Sequence, residues 1–190
     1  MKLFLSWSGH ETGNFAMAFK PWVRRCVNQI TPWVSSDPSD LSKGQDDYSR
    51  ILEAAQSADA CISFITEQNI NSPWLLFEAG LFYGKSPRGT LYTILCGNLS
   101  HESLKEKGHP LSNIYHAYMT EKDITDLLLS LNYDHNILDD ESIIKDAVKE
   151  TYRKLAEQYE NVFDQNQNTQ KNSDRQFIDA VASLGLDEDV

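Results

Sequence analysis

Apolar residues fall along this chain in two rhythms. Short, nearly unbroken apolar runs occupy residues 2–8, 31–34, 59–65, 90–96 and 114–119, the pattern of strands buried on both faces. Between them the apolar positions repeat at helical spacing. Phe15, Phe19, Trp22, Cys26 and Ile30 form one stripe from Gly13 onward, and Pro21 is expected to kink or split that helix. Ile51, Leu52 and Ala55 follow a cap at Asp46 or Asp47. A third helix begins at Pro73, which suits the first helical position, and ends near Tyr83, before Gly84 and Pro87. Thr120-Glu121-Lys122-Asp123 has the form of a capping box ahead of Ile124, Leu127, Leu128 and Leu131. Ile144, Val148, Tyr152, Leu155, Tyr159 and Phe163 then mark one long charged helix over residues 140–164, docked by a single stripe.

Strands that alternate with helices in this way predict an α/β fold, a parallel sheet with helices on both faces. Ligands of such sheets bind outside the carboxyl ends of the strands, so the loops after Ser6, Val34 and Ile65 are where chemistry is expected. Residues 1–164 read as one domain. Residues 165–190 read as a polar, acidic tail, Gln/Asn-rich and mobile at its start, with a weak helix near 175–184.

Composition narrows the function classes. The 190 residues carry 17 Lys+Arg against 28 Asp+Glu, a net charge of −11, which opposes a phosphate-tracking nucleic-acid surface. The imbalance is local: residues 134–190 hold 14 acidic and 6 basic side chains, while residues 1–133 are close to neutral. An anionic ligand is therefore not repelled by the first two-thirds, where Lys43, Arg50, Lys85 and Arg88 flank the loops. No apolar run approaches the roughly 20 residues that span a bilayer, and the start lacks a signal-peptide cleavage site. Cys26, Cys61 and Cys96 are odd in number and each sits in an apolar context, which suits free thiols in a reducing compartment. The expectation is a soluble cytoplasmic protein that touches neither membrane nor nucleic acid.

Several chemistries lack their motifs. No Gly-x-Gly-x-x-Gly follows the first strand, and Gly84-Lys85-Ser86 lacks the upstream glycine of a phosphate loop. The five histidines show no paired spacing, so no metal site is expected. Ser6 and Ser8 flank Trp7 without forming a nucleophile elbow. What remains is Pro73-Trp74-Leu75-Leu76-Phe77-Glu78-Ala79-Gly80-Leu81-Phe82. On a helix, Glu78 has Trp74 and Leu75 one turn before it and Leu81 and Phe82 one turn after. Desolvation among them would raise its pKa, a recurrent way to make a functional carboxylate. The same spacing also fits a glutamate that faces solvent or caps a buried backbone group. Trp7, Trp33 and Trp74 each fall at or just beyond a strand end, where aromatic faces beside a carboxylate suit a flat heterocycle. They equally fit core aromatics.

At these residues the sequence resembles the bacterial branch of the Toll/interleukin-1 receptor (TIR) domain family. Leu3-Phe4-Leu5-Ser6-Trp7-Ser8-Gly9 is similar to its first strand. Pro32-Trp33-Val34-Ser35-Ser36 through Lys43-Gly44 is similar to the second strand and the long BB loop, and Pro110-Leu111-Ser112 with the following helix also fits. Ser72-Pro73-Trp74-Leu75-Leu76-Phe77-Glu78-Ala79-Gly80 resembles the start of the third helix, where NAD-cleaving TIR domains carry their catalytic glutamate. The resemblance covers about residues 1–160. It implies a flavodoxin-like, three-layer fold on a five-stranded, mostly parallel sheet. It also implies Glu78 as catalytic acid and Trp74 as a wall of the nicotinamide–ribose pocket, with Trp7, Ser8, Gly9, Trp33, Ser36, Lys43, Gly44 and Tyr48 around the dinucleotide. At one point the sequence departs from the family: three residues after Gly44 stands Asp47, where relatives usually have a large aromatic, and Tyr48 comes one later.

The implied reaction breaks the nicotinamide–ribose bond of NAD+, a substrate rather than a cofactor, to give ADP-ribose or a cyclic isomer. The implied setting is antiphage defence, with other TIR subunits as partners in an oligomer or filament and a separate effector reached through a nucleotide signal. A stand-alone signal generator is expected. Two other readings remain: a non-enzymatic TIR–TIR interaction module, and a nucleoside deoxyribosyltransferase-like enzyme that also uses a carboxylate at the anomeric carbon.

Overall fold

The computed structural model describes residues 1–35, 47–85 and 90–183, with side chains up to residue 163 except those of 47 and 48. Among these residues five strands, β1 (Lys2–Ser6), β2 (Thr31–Val34), β3 (Ala60–Ile65), β4 (Leu91–Leu95) and β5 (His116–Tyr118), form one sheet. All its pairs are parallel and the order is β2-β1-β3-β4-β5. The chain first moves from β1 to the edge, then crosses back over β1, so the direction of winding reverses between β1 and β3. That is the flavodoxin-like order, and its ligand crevice lies at the reversal.

Among the described residues six α-helices cover the two faces: α1 (His10–Cys26), α2 (Asp47–Ser57), α3 (Pro73–Lys85), α4 (His101–Glu106), α5 (Glu121–His135) and α6 (Ser142–Ser183). Leu3, Leu5, Ile62, Phe64 and Ile94 point to the face packed by α1, α5 and α6. Phe4, Cys61, Ile65, Leu91 and Leu95 point to the other, packed by α2, α3 and α4. Alternating strand residues thus feed two separate cores, which is why the strands read as continuous apolar runs.

Several expected boundaries moved. Strand β1 ends at Ser6 instead of Ser8, because Trp7 and Ser8 turn into the helix. Helix α1 starts at His10, ends at Cys26, and passes through Pro21 as one helix. Phe15 and Phe19 before the proline, and Trp22, Val23 and Cys26 after it, are all buried. Burial worth about 1.5–3 kcal/mol for each large side chain outweighs the roughly 3 kcal/mol that an internal proline costs. Helix α6 runs on past residue 164 to Ser183. It docks through Ile144, Val148, Leu155 and Phe163, and Trp22 Nε1 donates to Thr151 Oγ1 at 3.0 Å. The capping box before α5 forms in part: Thr120 Oγ1 accepts from the Asp123 amide, while Asp123 accepts from the Tyr118 amide rather than from Thr120.

Strand β2 is an edge. Thr31 donates its amide inward to Met1, so the neighbouring Pro32 falls where an amide would point outward and costs the sheet no bond. Cys26, Cys61 and Cys96 are buried free thiols, and burial pushes all three above the ordinary thiol range. No helix among the described residues is long and apolar enough to cross a membrane.

Helix α3 extends through Gly84 to Lys85, and the last residue explains the extension. Lys85 Nζ donates to the carbonyls of Ala55 at 2.6 Å, Gln56 at 2.9 Å and Ala58 at 2.9 Å, capping the end of α2, and lies 4.6 Å from the Phe82 ring centroid. A cation at a helix C-terminus is favourable. Lys85 is therefore engaged at α2 and is not one of the cations left for an anionic ligand. Because the side chain is partly exposed, Lys85→Met is expected to lower stability by only about 1 kcal/mol in urea unfolding. An unchanged midpoint would show that the clamp contributes nothing.

Candidate functional site

The site is built where β1 ends beneath α3. Leu75, Glu78, Ala79 and Phe82 are the buried positions of α3, spaced one turn apart along its sheet-facing side. Glu78 is the one ionisable group in that stripe and is only 3% exposed. Ser6, the last residue of β1, shares its face of the sheet with Phe4, and its Oγ donates to Glu78 Oε2 at 2.5 Å. The Trp74 side chain, one turn earlier on α3, also hydrogen-bonds the carboxylate. Burial raises the Glu78 pKa from its ordinary value to about 7, against the opposing pull of these two donors. Desolvation wins because the surrounding helix face and the row below are apolar.

That row is aromatic. Phe4 stacks on Trp33 with centroids 5.0 Å apart and planes at 21°, and meets Phe82 at 5.6 Å. Trp33, Phe4 and Phe82 thus join β2, β1 and α3 one layer beneath the Ser6–Glu78 pair. Across the sheet, Ser6, Ser63, Thr93 and His116 stand in register on β1, β3, β4 and β5. The row is polar on a face that is otherwise apolar.

A cavity of about 190 Å3 opens at the winding reversal. Ser8, Gly9 and Thr12 line one wall, and Thr66 and Gln68 the other. Gly9 caps α1 with φ at +93°, a left-handed conformation that glycine adopts without strain. A second cavity, of about 380 Å3, lies at the opposite end of the strands between Lys2, Thr31, Pro32 and Trp33 and the α2 residues Arg50 and Ala54. Glu78 lines neither of these two cavities.

The structure therefore distributes the residues that sequence placed together. Trp74 is at Glu78. Ser8 and Gly9 are at the crevice between the loops after β1 and β3. Trp7 lies against α1, where its indole ring fills the space above Gly13, and its buried Nε1 has no hydrogen-bond partner among the described residues. Trp33 belongs to the aromatic row, one layer below Glu78, and lines the second cavity. Ser36, Lys43 and Gly44 fall outside the described residues, as does the side chain of Tyr48, whose backbone is in the first turn of α2.

Two participants went unread in the sequence. In the sequence Ser6 stands out only as a serine that lacks the surroundings of a nucleophile elbow, yet it is the hydroxyl that holds Glu78. Its signal was a polar residue two places after Phe4 in an apolar run, on the same face of the strand. Asn69, 5% exposed, ties the loops after β1 and β3 together, and nothing in its sequence context marks it.

Chemically, the arrangement offers a carboxylate of near-neutral pKa in a low-dielectric setting, oriented by two donors. Such a group can take up a proton, or stabilise a positive charge that develops beside it. Among the described residues no group of three or more His, Cys, Asp or Glu side chains is placed to hold a metal ion. Compared with protein-family models and with curated proteins, the chain matches none.

Proposed function

We propose that this chain is a TIR-type enzyme that cleaves the nicotinamide–ribose bond of NAD+, with Glu78 as the catalytic carboxylate. The observation that supports this reading is Glu78 itself: a single acid on an apolar helix face, 3% exposed, raised to about 7 and held by Ser6. Structural carboxylates are usually kept ionised by cations. This one has hydroxyl and indole donors instead, a setting that suits reaction. The parallel order β2-β1-β3-β4-β5 and the resemblance of residues 72–80 to the glutamate-bearing helix of that family support it further.

The chemistry follows from the group. Cleavage passes through an oxocarbenium-like ribose as neutral nicotinamide leaves, and an ionised carboxylate beside the ribose stabilises that cation, as in glycoside hydrolysis. Burial strengthens the interaction, since charge–charge attraction grows as the dielectric falls. Capture by water gives ADP-ribose, and capture by a nucleophile of the same ligand gives a cyclic isomer. We place the protein in the cytoplasm, acting in antiphage defence, assembling with other TIR subunits and signalling through its nucleotide product to a separate effector. The test is mass spectrometry of NAD+ incubated with the purified protein and with Glu78→Gln.

A second reading, a non-enzymatic interaction module, is favoured by the outward side of α3. Phe77 is 41% and Tyr83 56% exposed there, and the space around Gly80 and Gly84 is open. Under that reading Glu78→Gln would leave biological output intact while Phe77→Asp destroyed it.

A further inference from the structure

We infer that Asn69 is a positioning residue that sets the width of the crevice between the loops after β1 and β3, and so the affinity of the site for its dinucleotide. This rests on the function proposed above. The geometry is a clasp made by one side chain. Asn69 Nδ2 donates to the Phe64 carbonyl at 3.0 Å, where β3 ends, and to the Ser8 carbonyl at 3.0 Å, in the loop after β1. Its Oδ1 accepts from the Thr66 amide at 2.8 Å, and its own amide donates to Thr66 Oγ1 at 3.2 Å. Thr12 Oγ1 in the first turn of α1 also donates to the Ser8 carbonyl, at 2.8 Å, so both lone pairs of that carbonyl are engaged.

The consequence is positional. Ser8 and Thr12 form one wall of the 190 Å3 cavity and Thr66 belongs to the other. Asn69 bonds to Ser8 and Thr66 and lies behind the cavity rather than on it. It is buried and its donors are satisfied, so it has no group to offer a ligand. Its effect is to keep two otherwise independent loops at a fixed separation, which a ligand bridging them would otherwise have to order on binding. Glu78 stands on α3, outside this clasp, so loosening the crevice weakens binding more than it slows the bond-breaking step.

The experiment uses the full chain. Asn69→Asp keeps the size and the bond to Thr66 but turns a carboxylate toward the Phe64 and Ser8 carbonyls. Asn69→Ser, too short to reach Ser8, serves if the charged variant does not fold. Asn132→Ser is the matched control. Asn132 is an equally buried asparagine that bridges to Leu138 through both its amide atoms, far from the crevice. In the Asn69 variants, hydrogen exchange of residues 8–13 is expected to rise, and KM for NAD+ to increase about tenfold with kcat within about threefold. The Asn132 variant should show neither change. Unchanged exchange at residues 8–13, or an equal rise in the Asn132 variant, would overturn the inference, as would a loss confined to kcat. If the wild type cleaves no NAD+ the functional proposal fails on its own, and the exchange of residues 8–13 still decides whether Asn69 holds the loops.

Discussion

Glu78→Gln is expected to release nicotinamide from NAD+ at least about 1,000-fold more slowly than wild type and, at pH 8, to unfold at a higher temperature. The two effects have one origin. The loss of rate follows because a neutral amide cannot stabilise an oxocarbenium-like ribose. The gain in stability follows from the direction of the pKa shift. In the unfolded chain the carboxyl titrates near its model value of 4.5, and in the fold at about 7. A raised carboxyl pKa means that folding favours the protonated form. Below pH 4.5 Glu78 therefore costs nothing; the cost grows between 4.5 and 7 and is complete above. The shift corresponds to about 3 kcal/mol at most, and replacement by the uncharged amide recovers about 1–3 kcal/mol, some 2–10 °C in Tm for a chain of this length. Thermal unfolding of both proteins at pH 5 and pH 8 checks this, with the difference expected to narrow at the lower pH. Wild-type kcat/KM should rise between pH 6 and 8 with a midpoint near 7, following the ionised fraction. A Gln variant that is less stable at pH 8 and still active would make Glu78 a structural group.

Gly13→Val is the second large effect. A Cβ at Gly13 would lie 2.8 Å from two carbons of the Trp7 ring, closer than real Cβ atoms approach. The valine must displace a ring that packs against the α1 side of the core, costing about 1–3 kcal/mol, and helix propensity returns only a few tenths relative to glycine. Trp7 stands between Ser6, which holds Glu78, and Ser8, which Asn69 holds, so the displacement reaches both. Gly13→Val is thus expected to lower the urea midpoint. Trp7→Leu in the same chain should restore most of the loss by vacating the space, a coupling that a double-mutant cycle measures directly. If the two losses simply add, Trp7 is not the obstacle.

Most of the architecture was legible because it is written in period. The five apolar runs became the five strands, since residues buried on both faces leave no alternation to misread. Glu78 was legible in part: its helical neighbours Trp74, Leu75, Leu81 and Phe82 are apolar, but that spacing equally fits a glutamate facing solvent, and only the packing of α3 over Ser6 decides for burial. The misreadings have physical causes as well. Proline propensity at Pro21 was overridden by burial on both sides of it. Helix α4 has six residues and one buried position, Leu104, too few to show a period; only its cap, Ser100 accepting from the Ser103 amide, distinguishes it from loop. The grouping of Trp7, Trp33 and Trp74 could not be judged from strand ends. Trp33 sits one layer below the Ser6–Glu78 row, and Trp7 turns toward α1, because neighbouring side chains leave a strand on opposite faces. Asn69 could not be found at all, since a clasp between two loops exists only once the chain has wound past β1.

Pro32 bears on how copies of this protein can meet. A strand added beside β2 would find no amide to donate at that position, and the far edge, β5, offers only three residues. Neither margin is a template for extending the sheet from one molecule into the next. Contacts between copies through the described residues would then rest on side chains of helices and loops, not on added backbone pairing. Among the described residues, the two margins of the sheet offer only a proline-interrupted strand and a three-residue one from which a ribbon of backbone could grow.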